Sequence, residues 1–184
     1  DLSPSDLKSV EEPLWYDESK GLPMLMLYSV VDDRSGVCYQ EYRNVHGEDA
    51  GNALRFLFNA MSPKSDPDVP FQGIPQMIYM DNGPIARSRV FQSVMKYLGI
   101  DVKVHMPDSK DKRRKTARSK GKVERAFRTV KECHEVLYHL REPKNEIEAN
   151  QMLSEYLKKY NDHQHRAEPH SRTEDWLQNI DGAV

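Results

Sequence analysis

The chain reads as a series of short apolar segments separated by sharp polar breaks. Met24 to Val31 is an almost unbroken apolar run of strand length, closed by the turn sequence Asp32-Asp33-Arg34-Ser35-Gly36. Val37 to Arg43 alternates and predicts the returning strand of a hairpin, with Asp32 and Asp33 capping its turn. From Glu48 to Met61, the residues Ala50, Ala53, Leu54, Leu57, Phe58 and Met61 mark a helical stripe. Four prolines make Ser62 to Pro75 an irregular loop. Gln76 to Met80 is a short buried strand that delivers Asp81-Asn82-Gly83-Pro84. A helix follows over Arg87 to Leu98, with Val90, Phe91, Val94 and Leu98 on one side and Gly99 as its stop. Asp101 to Met106 alternates as another strand, and Pro107 to Gly121 reads as a mobile basic loop.

Val123, Phe127 and Val130 then recur at i, i+4 and i+7, predicting an amphipathic helix. Its stripe continues through His134 to Leu137 and Tyr138, and it should end near Leu140, before Glu142-Pro143. Glu146 to Tyr160 gives a further helix with Ile147, Leu153, Tyr156, Leu157 and Tyr160 facing inward. Ser171 and Glu174 have the spacing of a capping box opening a last helix around Trp176 and Leu177. Residues 1–20 show no clean period and read as loop with one short strand; Trp15 and Trp176 read as packing residues.

Strand hairpin, helix, strand, helix, strand, then helices is the order of an α/β domain with a mixed sheet. At 184 residues, one domain spanning 1–184 is expected, with the helices from about residue 145 completing or extending the core. A start on Asp1 without Met suggests a fragment. No apolar run approaches the length of a membrane span. Two cysteines without paired spacing, Cys38 and Cys133, argue for a reducing interior over a disulfide scaffold.

Charge changes the picture through its distribution. The net charge is −2, yet Lys110 to Lys131 holds eleven Lys/Arg against Asp111 and Glu124. A basic block inside an otherwise acidic chain suggests a localised polyanion site. The same block also fits a solvated loop, especially at Arg113, Arg114 and Lys115. Asp81 sits at the end of an apolar strand, where ligands gather in α/β sheets, although Asp-Asn-Gly alone fits an ordinary turn. Glu124 is an acid beside a buried stripe, ringed by Lys122, Arg125 and Arg128. It fits either a charged surface face or a ligand set among phosphate-binding bases. His163, His165 and His170 lack a firm ligand spacing, so no zinc site is expected.

Ile78-Tyr79-Met80-Asp81-Asn82-Gly83 followed by Ser119-Lys120-Gly121-Lys122-Val123-Glu124-Arg125 resembles the second and third acidic blocks of the DDE transposase and retroviral integrase catalytic core. Ser29 to Gly36 is similar to that family's second strand and turn. Tyr160-Asn161-Asp162-His163, then Pro169-His170-Ser171 and Glu174-Asp175-Trp176, resembles the tail of bacterial insertion-sequence transposases. The resemblance covers nearly the whole chain, and four blocks stand in the expected order.

The resemblance implies a ribonuclease-H-like fold with a mixed five-stranded sheet flanked by helices. It implies three carboxylates holding two divalent ions, Mg²⁺ with Mn²⁺ as substitute. Two such ions ~4 Å apart stabilise both attacking and leaving oxygens in phosphoryl transfer. Water nicks one strand and the freed 3′-hydroxyl attacks target DNA, with no Ser or Cys nucleophile required.

The implied ligands are Asp81, Glu124 and a first acid for which Asp1 and Asp17 compete. Asp1-Leu2-Ser3 and Asp17-Glu18-Ser19 both match the family's Asp-x-Ser. Asp1 is preferred because Glu11, Glu12 and Pro13 make a poor central strand; the first strand is then truncated. Lys120, Lys122, Arg125, Arg128 and Lys131 are the implied DNA backbone contacts, which position a duplex without reading its sequence. The implied partners are transposon ends, target DNA and further copies in a synaptic complex. The implied setting is a bacterial cytoplasm, at the nucleoid. Another nuclease of the same fold (a resolvase or ribonuclease H) and a non-catalytic DNA-binding or assembly protein are the competing readings.

Overall fold

The computed structural model describes residues 2–4, 24–105, 117–164 and 169–180. Its elements are β1 (Leu2–Pro4), β2 (Met24–Val31), β3 (Cys38–Val45), α1 (Ala50–Met61), β4 (Met77–Asp81), α2 (Pro84–Arg87), α3 (Arg89–Tyr97), β5 (Asp101–His105), α4 (Ala117–Cys133), a 3₁₀ helix (Glu135–His139), α5 (Glu146–Asp162) and α6 (Arg172–Asn179).

β2 explains the architecture. Successive strand residues point to opposite faces, and here both faces are covered. Leu25 and Leu27 enter one core with Phe127 and Val130 of α4 and Ala149, Leu153 and Leu157 of α5. Met26 and Tyr28 enter another with Ala53 and Phe56 of α1 and Phe91 and Met95 of α3. A strand buried on both sides has no polar face to show, hence its continuous apolar run. The result is a sheet layer between two helical layers.

β2 and β3 form the expected hairpin, from Met24 opposite Val45 to Val31 opposite Cys38. Asp32 caps its turn by accepting hydrogen bonds from the Ser35 amide and hydroxyl, both at 2.7 Å. Asp33 does not share that role, and its side chain points into solvent. β4 and β5 pair in parallel, with Asp81 opposite His105. Between them α3 stops at Leu98, and Gly99 takes φ of 72°, a conformation that favours glycine.

The expected single five-stranded sheet is corrected. β1, β2 and β3 form one antiparallel sheet, and β4 and β5 a separate parallel one. No ladder joins β1 to β4 among the described residues. β1 has three residues and ends in Pro4, which has no N–H to donate, so it offers few rungs to a second neighbour.

The loop expected to run through Gly121, with a helix after it to about Leu140, is also corrected. α4 starts at Ala117 and ends at Cys133, where the 3₁₀ helix takes over. Three residues per turn bring Glu135 and Tyr138 to the same buried side and leave Leu137 half exposed. The inward turn of His134 marks the change: its Nε2 lies 2.6 Å from the Tyr138 hydroxyl, and its ring stacks on Tyr156.

Three stripe residues likewise lie outside: Phe58, Val90 and Ile147 are all more than half exposed. At about 100° per residue, Phe58 falls opposite the buried Phe56, and Ile147 opposite the buried Ala149.

The buried row of α5 is Ala149, Leu153, Leu157 and Asn161, spaced four apart. It lies against β3, the outer strand of its sheet. Asn161 Oδ1 accepts from the Cys38 amide at 3.0 Å, and its Nδ2 donates to the Cys38 carbonyl at 2.8 Å. Asn150 treats Tyr42 in the same way, at 2.7 and 2.8 Å, and Glu146 accepts from the Asn44 amide at 2.7 Å. α6 opens with the expected capping box. Its Trp176 stacks on Phe71 at 5.0 Å and donates to the Pro70 carbonyl, confirming a packing role. Trp15 lies outside the described residues. No helix among the described residues is long and apolar enough to cross a membrane.

Candidate functional site

Asp81 is the last residue of β4, so its side chain stands at the carboxyl end of a strand. The chain leaves through Asn82 and Gly83 into α2, with Pro84 at the first helical position, where its missing N–H costs nothing. Gly83 keeps this exit open. A Cβ there would meet Asp81 Oδ1 at 3.2 Å and Glu48 Oε2 at 3.8 Å. The glycine therefore lies close to two carboxylates, those of Asp81 and Glu48. Its neighbour Asp49 caps α1 by accepting from the Asn52 amide at 2.8 Å. No local pattern reports the approach of Glu48 to Gly83, 35 positions away.

The surroundings are electronegative. Tyr28 is pushed up to about 12, first by burial and then by the charge of Asp49, with Glu48 adding and Arg43 opposing. Its buried hydroxyl has no hydrogen-bond partner among the described residues. Hard carboxylate oxygens around space that a Cβ would fill suit a divalent cation such as Mg²⁺. No group of three metal-binding side chains is assembled among the described residues.

Glu124 lies on α4, one residue past Val123, with its side chain in solvent. Ala126, Phe127 and Val130 carry the helix into the core, so the amphipathic pattern holds over this stretch. Glu124 makes no hydrogen bond or ion pair among the described residues. The bases around it are differently engaged. Lys122 Nζ lies 2.9 Å from Asp33 Oδ1 and also donates to the Asp33 carbonyl. Arg128 pairs with Glu132 at 2.8 Å. Arg125 is exposed, and Lys131 is half-buried.

Asp1 and Asp17, the competing first acids, lie outside the described residues, as do Arg113, Arg114, Lys115, His165 and the side chain of Lys120. β1 begins immediately after Asp1 and pairs Leu2 with Tyr28. His163 contacts the Lys159 carbonyl, and His170 lies 3.5 Å from Asp175.

A sheet layer between two helical layers, with Asp81 ending β4 of the parallel pair and Glu124 on α4, packed on β2 of the other sheet, fits a ribonuclease-H-like fold. The chain superposes on the catalytic core domain of BIV integrase with a TM-score of 0.63 and 20% identity, covering 86% of this chain and 89% of that one. It matches the HTLV-2 integrase catalytic core domain, solved in complex with magnesium, with a TM-score of 0.60 and 18% identity, over 95% and 90% of the two chains. At such identities the likeness establishes the fold.

Residues 1–138 match the family model of the TnsB C-terminal domain, and the chain belongs to that family. A stretch of 60 residues, 33% of the chain, is 47% identical to the Pol polyprotein of radiation murine leukemia virus (strain Kaplan). The chain spans only 9% of that polyprotein's length.

Proposed function

We propose that this chain is the catalytic core of a DNA transposase, which cleaves DNA strands and joins the freed 3′ end to target DNA. The observation that carries the reading is Asp81, set at a strand's carboxyl end beside space that Gly83 leaves open. Family membership and the integrase-type fold support it.

Asp81 and Glu124 each offer a carboxylate to divalent cations, and Asp1 is the third. Asp1 is preferred over Asp17 because it directly precedes a paired strand next to β2. The ions, Mg²⁺ or Mn²⁺, supply Lewis-acid stabilisation of the attacking and leaving oxygens when bound. The protein's part is to fix these carboxylates on a strand and a packed helix, so that the reacting phosphodiester meets a preset geometry. Lys120, Arg125, Arg128 and Lys131 hold DNA phosphates around Glu124, with Arg128 exchanging Glu132 for phosphate. Lys122, expected among them, is drawn onto Asp33. The domain extends over the whole chain, since α5 completes the core that α4 packs against. Strand joining brings two DNA ends and a target together, so the working form is a homo-multimer on DNA.

The test is a Mg²⁺- or Mn²⁺-dependent strand-transfer assay on the element's terminal inverted repeats. Residues that merely support metal ligands are worth about 10–100-fold, so removing a ligand charge with Glu124→Gln should cost at least about a hundredfold. Activity that survives the substitution ends this mechanism. Cleavage of RNA in a hybrid, without strand transfer, would replace it with a ribonuclease.

A further inference from the structure

Glu124 rides on a helix that is anchored unevenly. On its C-terminal side, Ala126, Phe127 and Val130 are buried, and the Thr129 carbonyl accepts from Tyr156 at 3.5 Å. On its N-terminal side, Val123 is only partly buried. Gly121 brings no side chain, and a Cβ there would touch nothing within 4 Å. A glycine inside a helix weakens it relative to alanine. Gly121 is thus a weak point of α4, three residues before Glu124.

At this soft point Lys122 leaves the helix for the β2–β3 turn, where it meets both the carboxylate and the carbonyl of Asp33. The turn is a firm anchor. Asp32 holds the Ser35 amide and hydroxyl, and Ser35 Oγ accepts from the Val37 amide at 3.1 Å. Asp32 and Val37 close the turn through their backbone at 2.9 Å. The Lys122 side chain is only 29% exposed, against 91% for Asp33. Its stem lies along the protein, and its ammonium is spent on two acceptors of one residue. An ammonium free to meet phosphate would stand out in water.

We infer that Lys122 and Asp33 form a strap that positions Glu124, so that Lys122 is a positioning residue and not a DNA contact. The inference rests on the proposed catalytic role of Glu124. An exposed ion pair of this kind contributes up to about 1 kcal/mol. Lys122→Met and Asp33→Ala should therefore each lower kcat for Mn²⁺-dependent nicking of supercoiled plasmid about three- to fivefold, with KM unchanged. Lys122→Arg, which still donates to both the carboxylate and the carbonyl of Asp33, should keep activity.

Two further readouts do not depend on turnover. The salt dependence of binding to a labelled duplex, without divalent ions, should be unchanged in Lys122→Met. Hydrogen exchange over residues 121–125 should quicken in Lys122→Met and Asp33→Ala and stay at the parent rate in Lys122→Arg. The strap is overturned if Lys122→Met removes about one phosphate contact from the salt slope while Asp33→Ala nicks normally. It is equally overturned if exchange over 121–125 is unmoved by either single variant. Nicking that survives Glu124→Gln overturns the proposed chemistry instead, and exchange still decides the strap.

Discussion

Replacing Asn161 with alanine removes two hydrogen bonds at once, because the amide accepts from the Cys38 N–H and donates to the Cys38 carbonyl. Both partners are backbone groups of a buried residue, and Asn161 is itself only 8% exposed. A buried polar group left unpaired costs about 1–3 kcal/mol, so Asn161→Ala should cost about 2–5 kcal/mol. Urea unfolding followed by circular dichroism measures this. With a slope of about 2–3 kcal/mol/M for a chain of this size, the midpoint should fall by roughly 1–2 M at unchanged slope.

Asn161→Asp sharpens the test. An ionised carboxylate still accepts from the Cys38 amide but faces the Cys38 carbonyl with a lone pair. Protonated, it donates as the asparagine does. Burial raises the folded-state pKa of the introduced acid, so the variant should be weakest near neutral pH. It should recover as pH falls through that raised pKa. A loss below about 1 kcal/mol for Asn161→Ala, or an Asn161→Asp deficit independent of pH, would refute the reasoning.

Two more predictions concern the site and the core beneath α4. Gly83→Ala should fold with nearly unchanged thermal stability, because φ of −79° suits alanine. Its Cβ, set 3.2 Å from Asp81 Oδ1, should still lower strand-transfer activity about tenfold; a melting curve beside the activity assay separates the two effects. Burial lowers His134 from its ordinary range to about 4, so the unfolded chain binds the extra proton first as pH falls. Stability from this residue is therefore full above about 6.5 and lost between there and about 4, by roughly 2–3 kcal/mol. His134→Gln should flatten that part of the stability–pH profile, and denaturant unfolding across the window measures it.

Much of the fold is legible in the sequence because local periodicity decides it. The run Met24–Val31, the turn at Asp32 and the capping box at Ser171 depend on nearby residues and appear as expected. Strand merging is not local. Whether β1 reaches β4 depends on a three-residue strand ending in proline, and no hydrophobic pattern reports that. Nor does periodicity identify a change of helical pitch, so Leu137 was assigned to a face that the 3₁₀ helix turns outward. Phe58, Val90 and Ile147 show that apolar character alone does not place a residue inward.

At the site, Asp81 was readable from its strand and its glycine turn. Glu48 and Asp33 became visible only through contacts with distant residues. The tail motif Tyr160-Asn161 also gains a physical meaning. Its asparagine holds a strand, while Arg172 donates to the Tyr160 carbonyl at 2.8 Å and covers the Tyr160 ring at 4.3 Å.

The amides of α5 that occupy β3 have a consequence for how copies of this domain can meet. An outer strand normally presents unpaired backbone groups, which template the addition of another strand, productively in assembly or harmfully in aggregation. Here the groups at Cys38, Tyr42 and Asn44 are already answered by Asn161, Asn150 and Glu146. The sheet cannot grow past β3 without first stripping α5 away. Any multimer that forms on this side must be built from side-chain surfaces and cannot be a continuous sheet shared between neighbours.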